Sequence, residues 1–450
     1  MISRKLDKVI ENHYKSSHSA LLLTGARQVG KTFAIRKYAQ EHDLNLIEIN
    51  FYEDRNATTI FEKAKDVKDV LLRLSAYINK PLVKGKTLIF FDEVQRYADI
   101  ITWIKFLVDE GSYLYALSGS LLGVTLKDIR SVPVGYMATE HVYPLDLSEF
   151  ASAIGVSSSV IDNLRNAWER RESVDEVVHE SMLRVVSLYL LTGGMPAVVQ
   201  TYINTNDMQA VRAKQKEILD LYKWDIAQYD PDNKLYIDDI FNLIPSELNA
   251  KNKRFILKNM NEHRQYSRLK NGFIWLRDAG VALPTYNVAE PTTPLKLSEN
   301  QSLFKLFQND IGLLAAQYAD GIAIKILNQE ININYGAIFE NLVAQELRAH
   351  GWDLYYYNNK KKGEVDFLVE AEGKITPLEI KSGKDYNRHQ ALNNILSCQE
   401  YHIDEAVVFC QSNMRINGKV LYAPIYMIMF LEKHSPQAPH LFKIDLTGLR

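Results

Sequence analysis

The segment Gly25-Ala26-Arg27-Gln28-Val29-Gly30-Lys31-Thr32 fits the pattern G-x-x-x-x-G-K-[ST] and follows directly on the apolar run Ala20–Thr24. A strand that runs into such a loop has few ways to continue. Its glycines let the chain turn sharply, so successive backbone N–H groups point inward at phosphate oxygens, while Lys31 reaches the β- and γ-phosphates and Thr32 ligates Mg²⁺. Residues 32–41 contain neither Gly nor Pro and read as a helix whose positive end faces the phosphates. The pattern therefore predicts a nucleoside triphosphate site in which all eight loop residues take part, against the alternative of a structural glycine turn.

A second element supports it. Thr87–Phe91 is a continuous apolar run ending in Asp92-Glu93, the form of a buried parallel strand that delivers acids at its C-terminal edge. In this place Asp92 is expected to hold the Mg²⁺ shell and Glu93 to polarise an attacking water, which separates a hydrolase from a passive binder. Without the loop, the same two acids would read as helix caps. A third strand, Tyr113–Leu117, ends in Ser118-Gly119-Ser120. It places a hydroxyl where a sensor would bond the γ-phosphate, or forms an ordinary turn. The choice between Ser118 and Ser120 stays open, with Ser120 counted among the expected nucleotide contacts.

At 450 residues the chain exceeds one core and suggests about three domains. A net charge of −2 requires any nucleic-acid contact to come from local patches. Two cysteines, Cys398 and Cys410, exclude a disulfide framework and point to a reducing, cytoplasmic compartment. No signal peptide is recognised at the start. The longest apolar stretch, Val420–Leu431, is too short to span a bilayer and contains Pro424, so it reads as packed core and no membrane partner is expected.

Residues 1–155 alternate strand-like and helix-like segments and read as a doubly wound α/β domain. Residues 156–230 read as a helical lid broken at Gly193-Gly194-Met195-Pro196, and 231–300 as a winged-helix segment in which short helical stretches are followed by a helix, Phe273–Leu283, and an extended segment. Within the latter, Lys251–Lys270 carries Lys251, Lys253, Arg254, Lys258, Arg264, Arg268 and Lys270 against the single acid Glu262. This run is either a phosphate-tracking stripe or a solvated basic face. Residues 301–450 read as a mixed α/β domain. In it, Glu364-Val365-Asp366 and Glu379-Ile380-Lys381 alternate with period two, with Val365 and Ile380 pointing into the core. Adjacent strands bearing Asp366, Glu379 and Lys381, completed by Glu340 on a preceding helix, would suit a divalent metal at Asp366 and Glu379 and an activated water. Charge pairs across a hairpin are the alternative.

Together these residues resemble a prokaryotic family of ATP-binding proteins with an N-terminal AAA-type P-loop domain (AAA_14-like) and a C-terminal domain of unknown function 4143. The resemblance spans nearly the whole chain. Further markers are Phe91–Arg96, Pro144-Leu-Asp-Leu-Ser-Glu-Phe150, Trp275-Leu-Arg-Asp-Ala-Gly280 and Phe304–Leu314. It implies ATP and Mg²⁺ as cofactors, an ATPase core, a lid, a winged helix and a restriction-endonuclease-like C-terminal fold. On that fold Glu340, Asp366, Glu379 and Lys381 fall at the PD-(D/E)xK positions. Members tend to carry Gly-Arg where this chain has Gly135-Tyr136, which leaves Arg130 as the nearest replacement for an arginine finger. Arg27 and Arg96 match the family as nucleotide contacts or as ion-pair partners. The expected function is an ATP-hydrolysing switch whose nuclease-like domain engages nucleic acid. The alternatives are an ATP-regulated, metal-dependent DNA nuclease, and an ATPase with a non-catalytic module for a protein partner.

Overall fold

The computed structural model describes residues 2–119, 135–229, 234–249, 255–256, 272–318, 335–383 and 385–433. Ser120, Arg130 and nearly all of Lys251–Lys270 lie outside them, and with them the finger and basic-stripe expectations and the Ser120 choice for the sensor.

Five strands form the N-terminal sheet: β1 (Ala20–Thr24), β2 (Asn45–Asn50), β3 (Thr87–Asp92), β4 (Leu114–Gly119) and β5 (Met137–His141), in the order β2-β3-β4-β1-β5. Every pairing is parallel. The near-continuous apolar character of β1 and β3 follows from burial on both faces. Leu21, Leu23, Leu88 and Phe90 pack into one core, and Leu22, Ile89, Phe91 and Leu117 into the other. Because all strands run the same way, the loop after β1 and the ends of β2, β3 and β4 share one edge, where α/β sheets hold ligands.

Helices Ser158–Arg170, Glu176–Thr192, Pro196–Thr205, Met208–Tyr229 and Lys234–Asn249 follow. Ser157 and Asp175 cap the first two through their side chains, and Pro196 opens the third at a position that needs no N–H. No single described helix is long and apolar enough to cross a membrane, although Glu176–Thr192 and Pro196–Thr205, bent by 118°, pass that test as a pair.

The second sheet is mixed and nine-stranded. Its strands are β6 (Phe255–Ile256), β7 (Ala282–Val288), β8 (Glu299–Gln308), β9 (Tyr355–Asn359), β10 (Gly363–Ala371), β11 (Lys374–Ile380), β12 (Ala406–Cys410), β13 (Arg415–Asn417) and β14 (Val420–Pro424). Their order is β13-β14-β12-β11-β10-β9-β7-β8-β6. Val420–Phe430 is buried throughout, as strand β14 and the helical turn after it, in keeping with packed core. Helix Tyr335–Ala349 lies against the sheet beside β7, β8 and β11.

Candidate nucleotide site and the acidic centre of the second sheet

The loop after β1 has the shape its glycines predict. Gly25 (φ 138), Gln28 (φ 64) and Gly30 (φ 98) have positive φ, and a Cβ on Gly25 would stand 2.2 Å from the Val142 carbonyl oxygen. Only glycine fits there. Helix Lys31–Glu41 starts immediately after, so its unpaired N–H groups and positive end face the loop. Lys31 Nζ folds back onto the Gly25 and Ala26 carbonyls at 2.9 and 2.8 Å. Burial lowers its pKa to about 8, a penalty that triphosphate charge would reverse.

Asp92 ends β3 almost wholly buried, and donors converge on it. Thr32 Oγ1 donates to its Oδ2 at 3.0 Å and Asn50 Nδ2 at 3.4 Å, while Ser118 Oγ and the Glu93 N–H donate to Oδ1. Burial pushes its carboxyl up, and the Ser118 and Thr32 hydroxyls oppose that shift. Of the two serines at the end of β4, the described one, Ser118, is thus bound to Asp92. Glu93 sits in the left-handed region (φ 56), a conformation costing about 1–3 kcal/mol in a non-glycine residue. Gln95 Nε2 donates to its carboxylate. Thr32 and Asp92 form an oxygen pair suited to Mg²⁺.

Two elements outside the sheet reach the loop. Arg27 pairs with Asp225 of helix Met208–Tyr229 at 2.7 Å, and Tyr222 of the same helix donates to the Arg27 carbonyl at 3.3 Å. Arg27 and Arg96 flank the Tyr52 ring at 5.3 and 5.0 Å. From the other side Gly280 packs so closely that a Cβ would lie 3.0 Å from the Ala26 nitrogen. Asp225 had no sequence signal beyond its place in a predicted helix.

Several family markers are joints. Gly194 N donates to Asp310 Oδ2 at 2.6 Å, and a Cβ on Gly194 would stand 2.0 Å from the Leu145 carbonyl oxygen. Arg4 ties Glu149 to the Val29 and Tyr143 carbonyls. Residues far apart in sequence thus fasten the phosphate loop to the helices that follow the first sheet and to the second sheet.

In the second sheet each acid of the expected metal centre already faces a protein donor. Asp366 Oδ2 accepts from the Ile380 N–H at 2.8 Å, and Lys381 Nζ donates to Glu379 Oε1 at 2.7 Å. Glu379 Oε2 has no hydrogen-bond partner, and burial raises its pKa with Lys381 opposing. Glu340 and Glu364 share Lys305, whose Nζ lies 3.6 and 2.8 Å from them and 4.9 Å over the Tyr356 ring. Lys305 is 0% exposed. Burial works against its charge, but Glu340, Glu364 and Asp366 outweigh that and hold it above its ordinary value. Val365 and Ile380 do point inward, but into different cores, because β10 carries a register shift between Val365 and Leu368. Among the described residues, Glu340, Asp366 and Glu379 do not bring three ligand atoms within 4.8 Å of one another.

Residues 17–151 match the family model described as AAA domain, and residues 335–428 that described as Domain of unknown function (DUF4143). The chain is an AAA-type P-loop protein with a C-terminal DUF4143 domain. Residues 184–323 match a further model, Domain of unknown function (DUF8612), which takes in the helices from Glu176–Thr192 onward together with β7 and β8. No curated protein matches the chain. Among solved structures, the Walker-type ATPase Paby2304 of Pyrococcus abyssi is similar over 70% of this chain and 96% of its own, at 14% identity and a TM-score of 0.42. The Aeropyrum pernix ORC1 protein in complex with DNA is similar over 73% and 91%, at 16% identity and a TM-score of 0.27. Cdc6p from Pyrobaculum aerophilum is similar over 73% and 93%, at 12% identity and a TM-score of 0.24.

Proposed function

We propose that this AAA-type P-loop protein is an ATP-hydrolysing switch that reports the state of its phosphate loop to the DUF4143 domain. The observation that carries the reading is the Arg27–Asp225 pair, which ties a loop residue directly to helix Met208–Tyr229. The loop N–H groups and Lys31 bind the phosphates. Thr32 and Asp92 would hold Mg²⁺, which neutralises charge on the phosphate oxygens. Glu93 orients the attacking water, and Gln95 holds Glu93 between turnovers.

A triphosphate draws Arg27 away from Asp225, because its charge exceeds that of one half-buried carboxylate. Helix Met208–Tyr229 transmits the change, since Arg212 donates to the Ala315 and Tyr318 carbonyls at the end of the segment that follows β8. The output is engagement of nucleic acid through Lys251–Lys270 and the C-terminal domain, whose charges suit phosphate contacts.

For the DUF4143 domain, Lys305 favours binding over cleavage. An ammonium held between Glu340 and Glu364 already compensates two acids of that pocket. The test is fluorescence anisotropy of labelled single- and double-stranded DNA with ATP, with ADP and without nucleotide. Wild type should change affinity with nucleotide and lose it steeply with salt, and Asp225→Ala should no longer distinguish ATP from ADP. Equal affinity in all three states would sink the switch. Mg²⁺- or Mn²⁺-dependent cutting that disappears in Lys381→Ala would establish the nuclease instead.

A further inference from the structure

We propose that Asp146, Glu346 and His350 form a binding site for a transition-metal dication, of the zinc or cobalt type, clamped between the ATPase domain and the DUF4143 domain. Asp146 caps helix Leu147–Ala153 of the N-terminal domain, whereas Glu346 and His350 stand four residues apart along helix Tyr335–Ala349 and its end. One atom from each, all three residues being buried, falls within 4.8 Å of the other two. His350 Nε2 lies 3.6 Å from Asp146 Oδ2 and 3.8 Å from Glu346 Oε2.

The remaining atoms of these side chains are already engaged, and that aims the free ones inward. Asp146 Oδ1 accepts from the Glu149 N–H and from Ser148 Oγ, both at 2.8 Å, and Glu346 Oε1 accepts from the Leu147 N–H at 2.9 Å. His350 Nδ1 lies 3.2 Å from the Leu431 carbonyl oxygen, which can only accept, so Nδ1 carries the proton. In the neutral ring Nε2 then presents a lone pair, the form in which an imidazole held by a backbone carbonyl ligates metal.

Glu346 Oε2 and His350 Nε2 have no hydrogen-bond partner although their side chains are 0% and 2% exposed. Polar atoms so deeply buried without a hydrogen-bond partner are costly, and a cation would satisfy both at once. One nitrogen and two carboxylate oxygens match borderline dications better than Mg²⁺, which prefers oxygen alone. At the mouth stands Lys5, its side chain 46% exposed, with Nζ 2.9 Å from Asp146 Oδ2 and 3.2 Å from Glu432 Oε1. Its ammonium competes with the ion for Asp146 and can withdraw to Glu432.

The experiment titrates metal-free, nucleotide-free full-length protein with Co²⁺, following visible absorption bands, with Zn²⁺ as competitor. One Co²⁺ per chain should bind. His350→Gln should weaken binding at least roughly tenfold, and Lys5→Met should strengthen it by about tenfold by removing the competing charge. A gain in Lys5→Met cannot arise from misfolding. Asp92→Asn should leave the bands unchanged, which separates this site from the phosphate loop. Absence of the bands from both wild type and Lys5→Met, or their survival in His350→Gln, overturns the site and leaves the ATP switch untouched.

Discussion

Thr32 Oγ1 donates a hydrogen bond to Asp92 Oδ2 across 3.0 Å, so the two residues proposed to share Mg²⁺ hold each other in position. The pair joins the first turn of helix Lys31–Glu41 to the end of β3. Such preorganisation lowers the cost of binding.

Lys31→Ala should abolish tight nucleotide binding. The ammonium's charge-assisted contacts to phosphate amount to about 1.5–3 kcal/mol, roughly 10- to 150-fold in affinity. Fluorescent-nucleotide titration checks this, and an affinity within twofold of wild type would contradict it.

Glu93→Gln should keep ATP binding but lower kcat by about 10²–10⁴, the usual contribution of a positioned base. Because Gln95 bonds the Glu93 carboxylate, Gln95→Ala should shift the pH profile of kcat while leaving ATP affinity near wild type. Steady-state phosphate release and nucleotide titration, measured side by side, separate the two effects.

The Arg27–Asp225 pair is about one-third exposed on each side, so its coupling in the nucleotide-free protein should be no more than about 1 kcal/mol. A double-mutant cycle on denaturant stability measures it. The same cycle on ATP affinity should show Asp225→Ala binding more tightly, because Arg27 is released to the phosphates.

Lys305→Met should destabilise the chain by about 3–5 kcal/mol, since it removes the buried ammonium that faces buried Glu340 and half-buried Glu364. Lys305→Met with Glu364→Leu should recover part of that loss. Urea unfolding monitored by tryptophan fluorescence gives both values.

Burial raises the Asp310 carboxyl to about 6, against backbone N–H donors that include Gly194 and Leu313. Its folded pKa exceeds the unfolded value, so the folded state binds the extra proton. This contribution to stability is complete below about pH 4 and declines as pH rises through about 6. Relative to Asp310→Asn, wild type should therefore lose stability between those values, by an amount on the order of 3 kcal/mol. A pH-independent difference in urea midpoints would contradict the assignment.

Legibility in the sequence followed locality. The phosphate loop, β3 with its two acids and the break at Gly193-Gly194 were readable because each is a short run whose spacing sets its own geometry. The acidic centre was only half readable. Glu340, Asp366, Glu379 and Lys381 could be named, but Lys305, although it falls inside the marker Phe304–Leu314, had no role assigned there and reaches Glu340 and Glu364 only once β8 has joined the sheet. Period-two alternation placed Val365 and Ile380 inward, as they are, but the register shift in β10 that sends them into separate cores was not readable.

What the sequence determined by itself was the chemistry of the loop: glycines at turns needing positive φ, a lysine and threonine at the helix start, and acids at the end of a buried strand. These depend on covalent neighbours and on backbone sterics, which act over a few residues. Tertiary structure decided which distant charges meet. Arg27 finds Asp225, Lys305 comes between Glu340 and Glu364, and Asp146 faces Glu346 and His350 across a domain boundary. Coulombic and desolvation energies depend on distance and burial in space, and neither quantity is carried by spacing along the chain.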